Sequence, residues 1–214
     1  MHSKLKFTVA AIAIALVSLG GTALAQNEHC DDNGSSNRAT TPSNDFADVG
    51  GGVVQHKPTG LQWSRCSVGQ TWNGGSCSDA AGVFYWNEAQ NAVDQVNTTG
   101  ELAGYSDWRL PTVEELATLI EKCREAPAIN PEIFPNTPWS GFWTSTLHFD
   151  GENRLDDYDP DHVEVDSMDG AHPEDEGIQR DIYPEEAWFV GFYNGLEYPY
   201  DIQSSYRLRL VRAN

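Results

Sequence analysis

Positive charge is scarce in this chain: 13 Lys and Arg stand against 32 Asp and Glu among 214 residues, a formal net charge of −19. So acidic a chain repels phosphate backbones and anionic lipid, which excludes nucleic acid as a partner and disfavours sulfated polyanions. Long apolar runs are missing beyond residue 25, so no later segment is expected to span a membrane. C-x-x-C and mixed Cys/His spacings for zinc are absent, as are Gly-x-Ser-x-Gly, His-Glu-x-x-His and phosphate-cradling glycine motifs. Adjacent carboxylates such as Glu114-Glu115 and Glu185-Glu186 do not by themselves make a glycosidase pair, whose members must face each other across a substrate. With no nucleophile and base at a telling spacing, the chain reads as a non-enzyme, an unrecognised hydrolase being the catalytic alternative. No internal repeat occurs, and no Gly-x-y repeat that would supply a collagen stalk.

What is present begins with an address label. Lys4 and Lys6 precede an apolar run from Phe7 to Leu19, then Gly20-Gly21 and Ala23-Leu24-Ala25. That is the layout of a signal peptide over residues 1–25, cut before Gln26, with an uncleaved anchor as the alternative. Losing two lysines and no acids would take the charge from −19 to −21, because −19 − 2 = −21. A periplasmic or secreted protein is expected. Cys30, Cys66, Cys77 and Cys123 all lie beyond the cut, an even count that predicts two disulfides in an oxidising compartment. Cys66 with Cys77 closes a short glycine-containing loop and is favoured, leaving Cys30 with Cys123; the competing reading is a free Cys123 on an apolar stripe.

Gln26–Asp48 is polar with almost no large apolar residue and reads as a flexible tail, leaving one domain over 49–214. Val53–Gln55 and Leu61–Ser64 flank Pro58-Thr59-Gly60 as a hairpin. Trp86, Ala89, Ala92, Val93 and Val96 repeat with helical period, ending before Gly100. Thr112 and Glu115 have capping-box spacing, and Leu116, Leu119, Ile120 and Cys123 extend the predicted helix toward Arg124. Phe142–Leu147 and Ala187–Tyr193 read as strands, with Asn194-Gly195 as a two-residue hairpin turn into Leu196–Tyr200. Tyr206, Leu208 and Leu210 alternate with Arg207, Arg209 and Val211 as a half-buried last strand. Two helices early and most strands late make this an α+β domain with a mostly antiparallel sheet.

Between those strands, residues 148–186 hold fifteen Asp and Glu against Arg154 and Arg180, the signature of a long solvated insertion. Asp157, Asp159 and Asp161 alternate on it and could converge on Ca2+, although the EF-hand pattern fails. His162 stands where that loop needs glycine, and Met168 where it needs a bidentate glutamate. A solvated acidic loop is the simpler reading, and no cofactor is required. His148, His162 and His172 are further ligand candidates on the same insertion.

Several separated pieces then form an ordered set. They run through Thr59-Gly60-Leu61-Gln62-Trp63, Cys66–Trp72, Trp86-Asn87-Glu88-Ala89 and Ala103–Thr112. Ala128-Ile129-Asn130-Pro131, Trp143-Thr144-Ser145, Ala187–Val190, Tyr193-Asn194-Gly195 and Arg209–Arg212 complete it. The set resembles the Lcl C-terminal domain family of exported bacterial proteins, over about Val53 to Arg212. The resemblance implies a C-type-lectin-like fold outside the cytoplasm. The family's best-known member, the end domain of a collagen-like adhesin, binds sulfated polysaccharides, which this chain's charge argues against. A binding or adhesion-type domain presenting loops to a glycan or protein partner is therefore expected, with a ligand-free structural envelope protein as the alternative. Most of the seven tryptophans should pack inside; Trp72 and Trp139, in loops beside Gly and Pro, are the candidates for a sugar-stacking surface. Arg109 and Arg212 are expected to anchor the central loop and the last strand through charge-assisted bonds.

Overall fold

The computed structural model describes residues 30, 38–149 and 185–214. Within them the chain is α+β, with helices α1 (Trp86–Thr99) and α2 (Val113–Ala117) among eleven short strands. Strands β1 (Phe46–Gly50), β2 (Val53–His56) and β3 (Gln62–Ser64) form one sheet with the last strand, β11 (Val211–Arg212), in the order β1-β2-β3-β11. A second sheet stacks β7 (Gly141–His148), β8 (Glu186–Gly191) and β9 (Leu196–Asp201) in sequence order. Two ribbons complete the set: β4 (Thr71–Trp72) with β5 (Cys77–Ser78), and β6 (Phe84–Tyr85) with β10 (Ser205–Tyr206). Every strand pairing is antiparallel, leaving one isolated parallel bridge between Phe142 and Arg207. The expected single sheet is thus several small ones.

Consecutive apolar residues explain why the strands serve two cores. Val53 and Val54, Phe142 and Trp143, and Phe189 and Val190 point to opposite faces of their strands. One of each pair joins the cluster around Trp63, Leu116, Ile129 and Phe134; the other joins the cluster around Val93, Trp108, Leu208 and Leu210. Both faces are covered, so these strands are apolar in runs rather than in alternation. Among the described residues, no helix is long and apolar enough to cross a membrane.

The motif around Trp108 is structural. Asn97 Nδ2 donates to Trp108 O at 2.8 Å and Asn97 Oδ1 accepts from Trp108 N at 2.8 Å, tying α1 to the loop. Asp107 takes Arg212 Nε at 2.7 Å and Nη2 at 3.1 Å, and the Arg212 guanidinium lies 4.0 Å over the Tyr105 ring. Arg109 grips both Glu115 oxygens, at 2.7 and 2.6 Å. Glu115 Oε2 also accepts from Thr112 N at 2.9 Å while Thr112 Oγ1 accepts from Glu115 N at 3.2 Å, so the expected capping box is formed. Thr112→Ala is expected to cost about 1 kcal/mol in urea unfolding by losing that cap. An unchanged midpoint would mean that the Arg109 grip alone holds the helix end.

Four local expectations differ from what forms. Helix α2 stops at Ala117 instead of running toward Arg124. Thr118 Oγ1 bonds Glu115 O at 2.6 Å, Leu119 and Ile120 wind on in three-residue turns, and Ile120 bridges Ile129. That tight path buries Leu119, Ile120 and Glu121 in succession, which one face of a helix cannot do. At Asn194-Gly195 the hairpin loop has four residues, because Gly191 pairs with Leu196 and Phe192 drops into the core. Gly195, at φ 69°, closes that loop on Gly191 O at 2.7 Å. The last strand is interrupted: Leu208, Arg209, Leu210 and Val211 are all buried, Arg209 included.

The fourth concerns the stretch read as a flexible tail. Its described part, from residue 38, is built into the fold: Phe46 starts β1, stacks on His56 at 4.9 Å and meets Phe134 edge-on at 5.5 Å. Burial pushes the His56 pKa down. Upstream, buried Glu121 accepts from Thr40 N at 2.8 Å, Thr40 Oγ1 at 2.9 Å, and Thr41 N and Oγ1 at 2.9 Å each. Asn130 Nδ2 donates to Thr41 O at 2.9 Å. The cysteines pair as favoured, Cys66 with Cys77 and Cys30 with Cys123.

Candidate functional site

The Cys66–Cys77 loop is a small platform. The disulfide brings its ends to a Cα separation of 5.5 Å, and Trp72 pairs with Cys77 across β4 and β5. Asn73 Oδ1 accepts from Gly75 N at 3.2 Å and Ser76 N at 2.9 Å, closing the tip without large side chains. A proline-rich loop docks beside it. Asn136, left-handed at φ 53°, donates to Cys77 O at 2.7 Å and Ser76 Oγ at 3.1 Å, while Gln70 Nε2 donates to Asn136 O at 3.2 Å. Thr137 is held from below, bonding Phe134 O at 2.8 Å and accepting from Arg209 Nη2 at 2.8 Å. Trp139 emerges from this pinned loop 70% exposed, alone among the seven tryptophans.

Trp72 is placed differently. It is half-buried, with the Arg65 guanidinium carbon 5.2 Å from its ring centre and the bare backbone of Gly52 beneath it. A Cβ at Gly52, which sits at φ +83°, would lie 2.8 Å from Trp72 Cγ. Arg65 in turn reaches Ile133 O at 3.3 Å and Asp48 at 3.4 Å. Trp72 is therefore a supporting wall, and Trp139 the ring free to meet a ligand. Asn136 joins the two loops that carry them. Neither Asn136 nor Arg65 stood out in the sequence; an Asn between prolines, held in left-handed backbone, was the available signal.

Asp157, Asp159 and Asp161, with His162 and His172, lie outside the described residues, as do residues 1–25, read above as a signal peptide. His148 Nδ1 sits 2.8 Å from Glu186 Oε2 and meets Trp188 edge-on at 5.6 Å. Among the described residues, one group brings three ligand-type atoms together: Cys30, Glu121 and Cys123, within 4.8 Å of one another. Its two sulfurs are joined in a disulfide and so are not thiolates, and both Glu121 oxygens already accept from Thr40 and Thr41. It is a clamp. Arg109 bonding holds the Glu115 pKa below the usual carboxylate range, and Arg212 does the same for Asp107. These strong pairs are spent on fold, as expected for Arg109 and Arg212.

The described residues thus define an α+β domain of small antiparallel sheets, with Trp108 and Leu110 of its central motif buried and its loops clipped outward. Residues 52–212 match the Lcl C-terminal domain, and the chain belongs to that family. No curated protein matches it.

Proposed function

We propose that this is a non-catalytic binding domain of an exported protein, presenting its clipped loops to a glycan or protein partner outside the cytoplasm. The observation that carries the reading is Trp139, 70% exposed on a loop that Asn136 and Thr137 hold fixed. Exposed large aromatics on preorganised loops are the usual anchors of recognition, because little conformational entropy is lost when they engage. Two disulfides and the basic-apolar leader support export, and the antiparallel α+β architecture suits the lectin-like fold that family membership suggests. Recognition of this kind requires no bound cofactor. The chain's acidity favours a neutral or cationic partner.

A glycan array run with and without calcium tests the reading. Trp139→Ala is expected to weaken the strongest signal at least tenfold, the scale of a binding hot spot, with an unchanged melting temperature. Silence on every glycan and on envelope proteins would leave a structural role without a ligand. Dependence of the signal on calcium would bring Asp157, Asp159 and Asp161 into the site.

A further inference from the structure

A second aromatic surface lies where β9 and β10 edge the core around Val93 and Trp108, against which Tyr198 and Tyr206 pack. Along β8 and β9, Phe189 pairs with Tyr198 and Ala187 with Tyr200, placing these side chains on one face. Tyr206 of β10 stacks on Phe189 at 4.4 Å and meets Tyr200 edge-on at 5.9 Å. Tyr193, from the four-residue loop, lies against Gly191, where an added Cβ would sit 2.8 Å from its ring. Gly141 gives the same clearance to Phe189 and Tyr206, with an added Cβ 2.7 Å from each. Two glycines therefore let Tyr193, Phe189 and Tyr206 approach the strand backbone closely. The result is a fixed tyrosine cluster of which Tyr193 is 41% and Tyr200 48% exposed, while Tyr198 and Tyr206 are half-buried.

Burial raises the pKa of Tyr193 and of Tyr206, and each is raised further by nearby tyrosines, Tyr200 being common to both. Asn194 Nδ2 donates to the Tyr198 hydroxyl at 2.8 Å and so orients it. Apolar ring faces carrying hydroxyls that can both donate and accept complement a ligand with apolar C–H faces and a rim of hydroxyls. We infer that the tyrosine cluster of Tyr193, Tyr198, Tyr200 and Tyr206 is a binding platform for a neutral carbohydrate.

Charge and size select that occupant. The chain's net charge of −19, to which exposed Glu197 and Asp201 on the other face of this edge strand contribute, disfavours sulfated or carboxylated sugars. Those acids and Pro199 also discourage a second strand from adding to the β9 edge. A stable protein interface takes about 20–30 residues a side, far more than this cluster offers, whereas a sugar ring needs only a few side chains. The inference extends the binding reading but does not depend on Trp139.

The test is calorimetric titration with cello-, malto-, manno- and chitohexaose, with a heparin hexasaccharide as the anionic comparison. At least one neutral hexasaccharide is expected to bind, and Tyr200→Ala to weaken it at least tenfold with the near-UV circular dichroism retained. Tyr200→Phe should lose less, because it keeps the ring. Tyr193→Ala, in a loop outside the strands, repeats the test should Tyr200→Ala fail to fold. Loss in Trp139→Ala but in neither tyrosine variant would overturn this platform and leave the loop reading standing. Loss in the tyrosine variants alone would do the reverse. Absence of neutral binding, preference for heparin, or a dimer in sedimentation broken by Tyr200→Ala would each overturn it.

Discussion

Replacing Cys30 and Cys123 together by serine is expected to lower the unfolding free energy by roughly 4–5 kcal/mol, the chain-entropy value for so long a closed loop. The two residues are 93 apart in sequence, with Cα atoms 5.6 Å apart. The bridge and the Glu121 clamp hold the same segment. Glu121 is 1% exposed, and its carboxylate collects the backbone and hydroxyl donors of both Thr40 and Thr41. Burial alone would raise its pKa, yet those donors outweigh burial and hold it below the ordinary value of 4.5. The folded carboxylate thus binds a proton less readily than the unfolded one. Its stabilisation is complete above that ordinary value and is lost as pH falls toward the lower, folded pKa. Melting temperature followed from neutral pH into acid should show the decline, flattened in Glu121→Gln, which starts lower at neutral pH. A serine variant within about 1 kcal/mol of the parent would mean that the clamp fixes the segment unaided.

Arg209→Ala should be comparably severe, about 3–5 kcal/mol, because it breaks a buried polar network and opens a cavity. Arg209 is fully buried and donates Nη1 to Ser64 O at 2.7 Å, to Arg65 O, and Nη2 to Thr137 Oγ1 at 2.8 Å. Its guanidinium carbon lies 4.7 Å over Phe134 and 5.7 Å from Phe142. Among the described residues, its hydrogen-bond partners are two carbonyls and a hydroxyl, with no carboxylate. Burial pushes its pKa down to about 9, so it remains a cation at neutral pH. Below that value both folded and unfolded chains carry the proton, and Arg209 adds no pH dependence to stability. Arg209→Met should fall between parent and Ala in urea unfolding, since it refills the volume but leaves three acceptors unpaired. If Met matched the parent, the buried cation would be dispensable. Because Thr137 belongs to the loop that carries Trp139, the Ala variant is also expected to loosen that loop.

Much of the architecture was legible because it rests on short-range chemistry. The capping box at Thr112 and Glu115 needs only three residues of separation, and it forms. Helix α1 follows its own apolar period and ends on Gly100 in left-handed backbone, at φ 63°. An even count and one short loop favoured the cysteine pairing over a free Cys123, and that pairing forms. The misreadings share a different cause. Phe46 is one aromatic in a polar stretch, and only pairing with β2 and packing on Phe134 make its neighbourhood a strand. Arg209 alternates with leucines as if solvent-facing, yet its charge is satisfied by the distant residues Ser64, Arg65 and Thr137.

For the candidate sites the division is sharper. The sequence placed Trp72 and Trp139 in loops but could not rank them. Exposure separated them, because Gly52 and Arg65 occupy Trp72 while Trp139 stands clear. The tyrosine cluster left only a faint trace, the alternation of Leu196, Tyr198 and Tyr200 after a hairpin turn.

By itself, the sequence determined the acidic charge, the α+β class, the capped motif, a favoured cysteine pairing and family membership. Each is a property of composition, of spacing within a few residues, or of an ordered set of motifs. Only the tertiary structure decided which polar residues go inside and which aromatic faces stay out. Those outcomes depend on donors and ring contacts from residues scores of positions apart, such as Thr40 to Glu121 and Arg209 to Ser64. No local pattern encodes such partners, because burying a charge is tolerable only once the fold has assembled the groups that satisfy it.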